Sequence, residues 1–187
     1  MAPSSKSPQA RWRHCSVALA MVVAGLGAAC GSSGASSATT RTPLPAGSLP
    51  SDIAKMVCQP KAQREIDAAL GAISRVATPL WADHLYSCRY LFPTGSFSMS
   101  VKELSSWSQT LSYFRGLGAR QAGSHPVYDL GQGAFQTAEG AVVVRKDWKV
   151  LLVDISSLPP RFGNPSAPSD NVALTVADVI LGCWHGD

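Results

Sequence analysis

Histidine, cysteine and acidic side chains carry most of the chemical capacity of this chain, and their spacing decides which chemistry is open to it. Beyond residue 30 the histidines are His84, His125 and His185, and no two of them have the short spacing of paired metal ligands. Cys183, His185 and Asp187 lie close together at the C-terminus, but structural zinc usually takes four ligands. We therefore expect no metal site and no bound cofactor.

Serine and glycine residues form none of the usual catalytic or phosphate-binding motifs. The chain lacks a Gly-x-Ser-x-Gly nucleophile turn, and Ser124 and His125 have no recognisable acid to orient the histidine. The Gly-x-Gly of residues 131–133 precedes a predicted strand, so it lacks the helix N-terminus that would hold a phosphate. The sequence therefore predicts no catalytic residues. The alternative is a hydrolase whose site is assembled from residues far apart in the chain.

Trp148 is the residue whose position best fits a contact with a ligand or partner. It is flanked by Asp147 and Lys149 at the tip of a predicted hairpin. Exposed aromatic side chains on loops often anchor binding partners. The competing interpretation is that Trp148 folds back over the sheet, whereas Trp107 fits the apolar stripe of a helix and is expected in the core.

The hydrophobic periodicity predicts elements in the order α-β-β-α-β-β-β-α. Helical stripes cover residues 59–76, 102–117 and a last helix that begins at 169 or 170, while the proline-rich residues 158–168 are expected to be irregular. Alternating patterns predict strands at residues 84–92, 96–102, 132–138, 141–146 and 149–156. This order favours an α+β fold, with an antiparallel sheet of about five strands and three helices packed mainly on one face.

The net charge argues against nucleic acid as a partner. The chain has 16 basic and 12 acidic residues. Three of the basic residues (Lys6, Arg11 and Arg13) and none of the acidic ones lie in the first 29 positions, so 13 basic and 12 acidic residues remain beyond them. A nearly neutral domain has no positive field with which to attract a polyanion.

The N-terminus has the order of a secretory signal. Basic residues precede an apolar run at residues 16–29, which ends in small side chains before Cys30. Residues 26–30 resemble the lipobox of bacterial lipoproteins, in which the cysteine is diacylated and holds the protein to the outer face of the membrane. The alternatives are ordinary secretion and an uncleaved anchor, for which the apolar run is short.

These features divide the chain into three segments. Residues 1–29 are predicted to be a signal peptide of the lipoprotein type, and residues 30–51 the lipidated cysteine and a disordered tether rich in Ser, Gly, Ala, Thr and Pro. Residues 52–187 are predicted to form a single α+β domain. Within that domain Cys58, Cys88 and Cys183 give an odd number of thiols, which means one disulfide and one free thiol, or an intermolecular bond.

The combination resembles the small cell-envelope lipoproteins of actinobacteria, a group mostly of unknown function. The features that carry the resemblance are the lipobox, the tether, a cysteine before a helix, a second cysteine in the aromatic strand Tyr86-Ser87-Cys88-Arg89-Tyr90, and a Val-Val-Val-Arg-Lys-Asp hairpin within residues 56–183. It implies a compact α+β domain and a Cys58–Cys88 disulfide, which could contribute about 3 kcal/mol. Cys183 has no counterpart in that pattern and could compete for either partner.

The expected function is accordingly a lipid-anchored, extracytoplasmic binding module without catalytic activity. Its partner would be an envelope protein, or an apolar small ligand held in a groove between helices and sheet. The alternatives are a cell-envelope hydrolase and a structural accessory subunit of an envelope complex, which an exposed apolar patch would favour.

Overall fold

An antiparallel sheet of eight strands organises residues 42–184, the part of the chain that this computed structural model describes. The strands are β1 (Arg75–Val76), β2 (Leu80–Ala82), β3 (Leu85–Phe92), β4 (Gly95–Glu103), β5 (His125–Val127), β6 (Ala134–Gln136), β7 (Val142–Lys146) and β8 (Lys149–Asp154). They lie in the order β1-β3-β4-β8-β7-β6-β5, and β2 also pairs with β3. The short strands β9 (Arg161–Phe162) and β10 (Ala167–Pro168) form a separate ribbon.

The α+β class and the antiparallel sheet are confirmed, but the predicted five strands are too few. The five correspond to β3, β4, β6, β7 and β8. The others have two or three residues each, which is too short for an alternating pattern to be visible in the sequence. Residues 158–168, expected to be irregular, contain the ribbon of β9 and β10.

Four helices, one more than predicted, occur in the described part of the chain. They are α1 (Asp52–Met56), α2 (Pro60–Leu70), α3 (Trp107–Ala119) and α4 (Ser169–Cys183). The predicted first helix is too long at its C-terminus because Gly71 adopts a left-handed φ of 58° and ends α2 there. Ile73, assigned to the apolar stripe of that helix, is 86% exposed.

The helices cover both faces of the sheet. The buried side chains of α2 and α4 pack against buried side chains of the sheet such as Met99, Val101 and Leu151. On the same face, α1 contacts β4. The third long helix, α3, packs on the opposite face against Phe135, Val143 and Val150. The prediction that the helices lie mainly on one face therefore fails for α3. The reason is that β7 and β8 are apolar on both faces, and each face needs a cover.

A disulfide ties the first helices to the sheet. Cys58, just after α1, is bonded to Cys88 in β3, and this pairing is the one implied by the resemblance. Beside it, the buried Tyr90 hydroxyl donates a hydrogen bond of 2.7 Å to the carbonyl oxygen of Val57. Cys183, at the end of α4, is a half-buried free thiol.

Residues 42–51, which we call the N-terminal arm, run against the β3–β4 end of the sheet. The Ala46 N–H donates to Leu104 O (3.1 Å), and the indole N–H of Trp81 donates to Ser48 O (3.0 Å). Ser51 donates from its backbone N–H and its hydroxyl to the buried Glu103 carboxylate. This part of the predicted tether is therefore held against the domain.

The predicted signal peptide, the lipidation site Cys30 and the first part of the tether lie outside the described residues. In the part that the structure does describe, residues 42–184, none of the helices has the length and apolar character needed to cross a membrane.

Candidate functional site

The α3 helix covers only part of the sheet face on which it lies. It packs on β6, β7 and β8 through Phe135, Val143 and Val150. The alternation of β3 and β4 places Ser87, Arg89, Ser98 and Ser100 on the same face, beyond the reach of that contact. Because α3 does not cover this part of the sheet face, the surface here forms a groove.

The sheet groove, as we call it, is an open depression of about 620 Å³ over β3 and β4. Serine hydroxyls from Ser87, Ser98 and Ser100 line its floor, and its apolar walls come from Leu80, Leu85 and Leu91. Leu80 is 70% exposed, so its side chain is open to solvent at the edge of the groove.

A second depression, the helix groove, lies between α3 and the sheet. Its volume is about 270 Å³, and its floor is apolar, formed by Leu117, Phe135, Val143 and Leu152. Thr137, Glu139, Asp154 and Ser156 are among the polar residues that surround this floor. The sequence analysis expected an apolar ligand in a groove between helices and sheet, and that expectation stays a prediction.

The two grooves are neighbours on one continuous surface. Ser98 in the sheet groove is the register partner of Asp154 in the helix groove, and Ser100 is the partner of Leu152. Paired residues on adjacent antiparallel strands lie about 5 Å apart, so the two depressions meet along the β4–β8 pair. Together they give a surface with apolar patches, hydroxyl groups, one positive charge from Arg89 and two negative charges from Glu139 and Asp154.

Beneath the first turn of α3 lies an arginine in an aromatic environment. The Arg145 guanidinium carbon is 4.2 Å from the centre of the Trp107 ring and 5.7 Å from that of Phe114. Its Nη2 donates to the carbonyl oxygen of Gln132. Burial, and next the positive charge of Arg115, lower the pKa of Arg145 below its usual value.

Trp148 is less exposed than the hairpin-tip position suggested, and its backbone makes a contact with the end of β4. The residue is half-buried in the turn between β7 and β8, and its carbonyl oxygen accepts a hydrogen bond of 2.9 Å from Leu104 N. Trp107, expected in the core, is instead 46% exposed over Arg145. The prediction for Trp107 was wrong because α3 begins at this residue, where the helix has only started to cross the sheet.

The residues weighed for hydrolytic or metal chemistry stay apart. Within residues 42–184, no group of three or more His, Cys, Asp and Glu side chains is placed to hold a metal ion, and His185 and Asp187 lie outside that range. The Nδ1 atom of His84 is 3.0 Å from a backbone oxygen, that of Gly47. The Gly131 backbone has a φ of +62° at a corner beside β7, where a Cβ would lie 2.8 Å from Arg145 O. Gly131 therefore serves the backbone conformation and the close packing at this corner.

Comparison with known proteins gives no relative. No family model matches the chain, and neither a curated protein nor a solved structure matches it.

The sequence analysis missed both the serine-lined groove and the Trp107–Arg145 pair. The serines of β4 alternate with apolar residues, which predicts only that they lie on the opposite face of the strand, and nothing in their spacing shows that α3 stops short of them. For Arg145 a signal exists, because it follows the apolar run Val142–Val144 in a strand whose partners are buried. A charge at such a position suggests a specific partner.

Proposed function

We propose that this protein is a lipid-anchored, extracytoplasmic binding module, and that its contact surface is the continuous surface formed by the sheet groove and the helix groove. The observation that carries the proposal is the register pairing of Ser98 with Asp154 and of Ser100 with Leu152, which joins the two depressions. The combined volume is in the usual range of small-molecule sites, which are mostly apolar with a few polar groups that fix orientation.

The lining favours an elongated small ligand with an apolar body and few hydrogen-bonding groups. The leucines and Phe135 offer apolar contact, and the hydroxyls of Ser87, Ser98 and Ser100 can donate or accept single hydrogen bonds. Arg89 contributes one positive charge and Glu139 and Asp154 contribute two negative ones, so the small net charge of the surface gives little selection for a charged ligand. We assign the module no catalytic step, since the groove serines have no histidine among the residues that line either depression.

The proposal is tested by filling the junction of the two grooves. Ser100 lies at this junction, between Ser87 of β3 and Leu152 of β8, so Ser100→Trp places an indole where a ligand would lie. Binding of the uncharged fluorescent probe N-phenyl-1-naphthylamine is measured by titration. We expect the native chain to bind the probe and Ser100→Trp to bind it at least about tenfold more weakly, roughly 1.4 kcal/mol.

The matched control is Ser112→Trp, which adds the same side chain at an exposed position of α3. We expect the control to bind the probe as the native chain does. If all three proteins bind the probe equally well, the grooves are not the binding surface. The same conclusion follows if both variants lose the same amount of probe affinity.

The anchor is tested separately by the intact mass of the protein from membranes. A mass that begins at Cys30 and includes a diacylglyceryl group is expected, and Cys30→Ala should release the protein from the membrane. A mature N-terminus elsewhere, without lipid, would argue for ordinary secretion.

A further inference from the structure

Arg145 is a buried cation with unused hydrogen-bond donors. Its side chain is 91% buried, since only 9% of its surface is exposed. Nη2 donates to Gln132 O, but Nε and Nη1 have no hydrogen-bond partner among residues 42–184 and no contact with solvent. A guanidinium group is always charged at ordinary pH and carries five N–H donors. Buried groups of this kind are nearly always paired, so the unused donors of Arg145 call for a ligand.

The surroundings of the guanidinium form a flat slot. Trp107 lies over it at 4.2 Å and Phe114 at 5.7 Å. The backbone of Gly133 passes so close that a Cβ there would lie 3.0 Å from Nη2 and 3.6 Å from Nε. Gly133 has a φ of +154°, at which a side chain would also be strained. The position therefore requires glycine if the guanidinium is to occupy this slot.

No negative charge in the described part of the chain compensates Arg145. Residues 42–184 contain no carboxylate within ion-pair distance of its nitrogens, and the charged side chain that perturbs it is Arg115, which is also positive. The Asp147 carboxylate accepts a hydrogen bond from the Trp184 indole, with Nε1 and Oδ2 3.2 Å apart, and it is not among the groups that perturb Arg145. The charge that acts on the guanidinium is that of Arg115, which is also positive, so an anion would be favoured beside it.

We infer that Arg145 is the recognition group of a binding site for a carboxylate-bearing small molecule, with the Trp107 ring as its cover. Trp107 is suited to this role because it is the first residue of α3 and is 46% exposed. Trp107 belongs to neither hydrophobic core cluster of residues 42–184, and its ring has to move aside when a ligand enters. A planar carboxylate pairs with the edge of a guanidinium through two parallel hydrogen bonds, and arginine is the side chain best matched to that geometry.

This site is distinct from the two grooves of the proposed function. Arg145 lies on the same sheet face, but under the first turn of α3 rather than in either depression. The site can therefore exist whether or not the grooves bind a ligand.

The experiment is a titration of the native chain with benzoate, followed by NMR of the Arg145 Nε–H signal and the Trp107 indole N–H signal. The Nε–H signal is assigned by its loss in Arg145→Lys, and the indole signal by its loss in Trp107→Phe. We expect saturable shifts of both signals at millimolar benzoate. Benzamide, a neutral molecule of the same shape, should cause neither shift, because it lacks the charge that pairs with the guanidinium.

Two variants separate recognition by Arg145 from general electrostatics. Arg145→Lys keeps the positive charge but loses the planar fork, and benzoate affinity, followed on the indole signal, should fall at least about tenfold. Arg115→Gln removes a charge of the same sign from an exposed position, and the loss should stay within about threefold, as expected for a screened surface charge. If Arg145→Lys is unfolded, the contrast between benzoate and benzamide on the Arg145 Nε–H signal of the native chain still tests the inference.

Several results would overturn the inference. One is the absence of any saturable shift with benzoate, and another is equal binding of benzamide. A third is an equal loss of affinity in Arg115→Gln and Arg145→Lys. A magnetisation-transfer signal from a bound water to Arg145 Nε–H that persists at high benzoate would show that water satisfies the donors instead.

Discussion

Tyr90 and Val57 are joined by a hydrogen bond of 2.7 Å between the phenol hydroxyl and the backbone carbonyl oxygen, across 33 positions of the chain. Both residues are fully buried, and the Tyr90 ring also stacks on Phe97 with the ring centres 4.8 Å apart. The bond lies directly beside the Cys58–Cys88 disulfide, so covalent and polar links fix the same junction between α1 and β3.

Replacing Tyr90 with Phe should destabilise the domain by about 1–2 kcal/mol, because the buried Val57 carbonyl oxygen loses its partner while the ring packing is kept. The free energy of unfolding is measured by urea denaturation at pH 7. Tyr128→Phe is the control, since Tyr128 is 80% exposed and its replacement should change stability by less than about 0.5 kcal/mol. Equal effects of the two substitutions would contradict a role for the Tyr90 hydroxyl.

The stability of the native chain should also fall in alkali through Tyr90. Burial, and next the negative charge of Asp67, raise the pKa of Tyr90 above its ordinary value of 10.0. A raised folded-state pKa means that the stabilisation is complete below the unfolded pKa and is lost as the pH rises above it. The native chain should therefore have a larger free energy of unfolding than Tyr90→Phe below pH 10. Above pH 10 this difference should decrease, by up to about 1.4 kcal/mol per pH unit. Unfolding curves of both proteins at pH 8 to 11.5 give this difference, and a constant difference would contradict the assignment.

Loss of the Cys58–Cys88 disulfide should cost about 3 kcal/mol, because the bond closes a loop of 30 residues in the unfolded chain. The double variant Cys58→Ser/Cys88→Ser is compared with the native chain by urea denaturation. Alkylation in denaturant checks the pairing itself: a chain beginning at residue 31 should react at one thiol, Cys183, before reduction and at three after it. Reaction of Cys58 or Cys88 before reduction would contradict the pairing.

The sequence predicts the long strands well because their alternation continues into a buried face. In β4, Phe97, Met99 and Val101 are fully buried while Ser98 and Ser100 lie on the other side, as the period of two requires. The same pattern cannot show which strands a helix covers, because that depends on how the chain returns over the sheet. The sheet groove depends on this information, and it became visible only once α3 was placed over β7 and β8.

The end of α2 shows where local periodicity misleads. The apolar spacing continues past Leu70 to residue 76, but Gly71 can adopt the left-handed conformation that ends a helix, and the two signals compete. Tertiary contact decides between them. Gly71 packs so closely on the Asn164 backbone that a Cβ would lie 2.1 Å from its carbonyl oxygen, and Asn164 N donates to Leu70 O (2.8 Å).

Gly71→Ala should therefore destabilise the domain by about 2–4 kcal/mol, from the left-handed backbone together with the clash on Asn164. Gly182→Ala, within α4, is the matched control because no atom lies within 4 Å of its added Cβ. There the substitution should stabilise by about 0.5–1 kcal/mol, since alanine is the better helix former. Thermal and urea unfolding of both variants measure the effects, and a neutral Gly71→Ala would show that the loop at Asn164 yields freely.

The N-terminal arm is expected to contribute to stability through Ser51. Its hydroxyl accepts a hydrogen bond from Ala54 N (3.2 Å), capping α1, and donates to Glu103, a carboxylate that is only 3% exposed. Removing it in Ser51→Ala should cost about 2–3 kcal/mol, because a helix cap is lost and a buried charged group loses a donor.

Ser105→Ala, an exposed position just after β4, is the control and should be nearly neutral. A chain that begins at Asp52 lacks Ser51 altogether and should still fold. Its free energy of unfolding should be lower than that of the native chain by at least the amount lost in Ser51→Ala. If the chain beginning at Asp52 were as stable as one beginning at Thr42, the hydrogen bonds of residues 46–51 would contribute nothing, and the whole stretch from Cys30 to Ser51 would act as a tether. If it is less stable, the hydrogen bonds of residues 46–51 stabilise the domain, and this part of the predicted tether belongs to the folded unit instead.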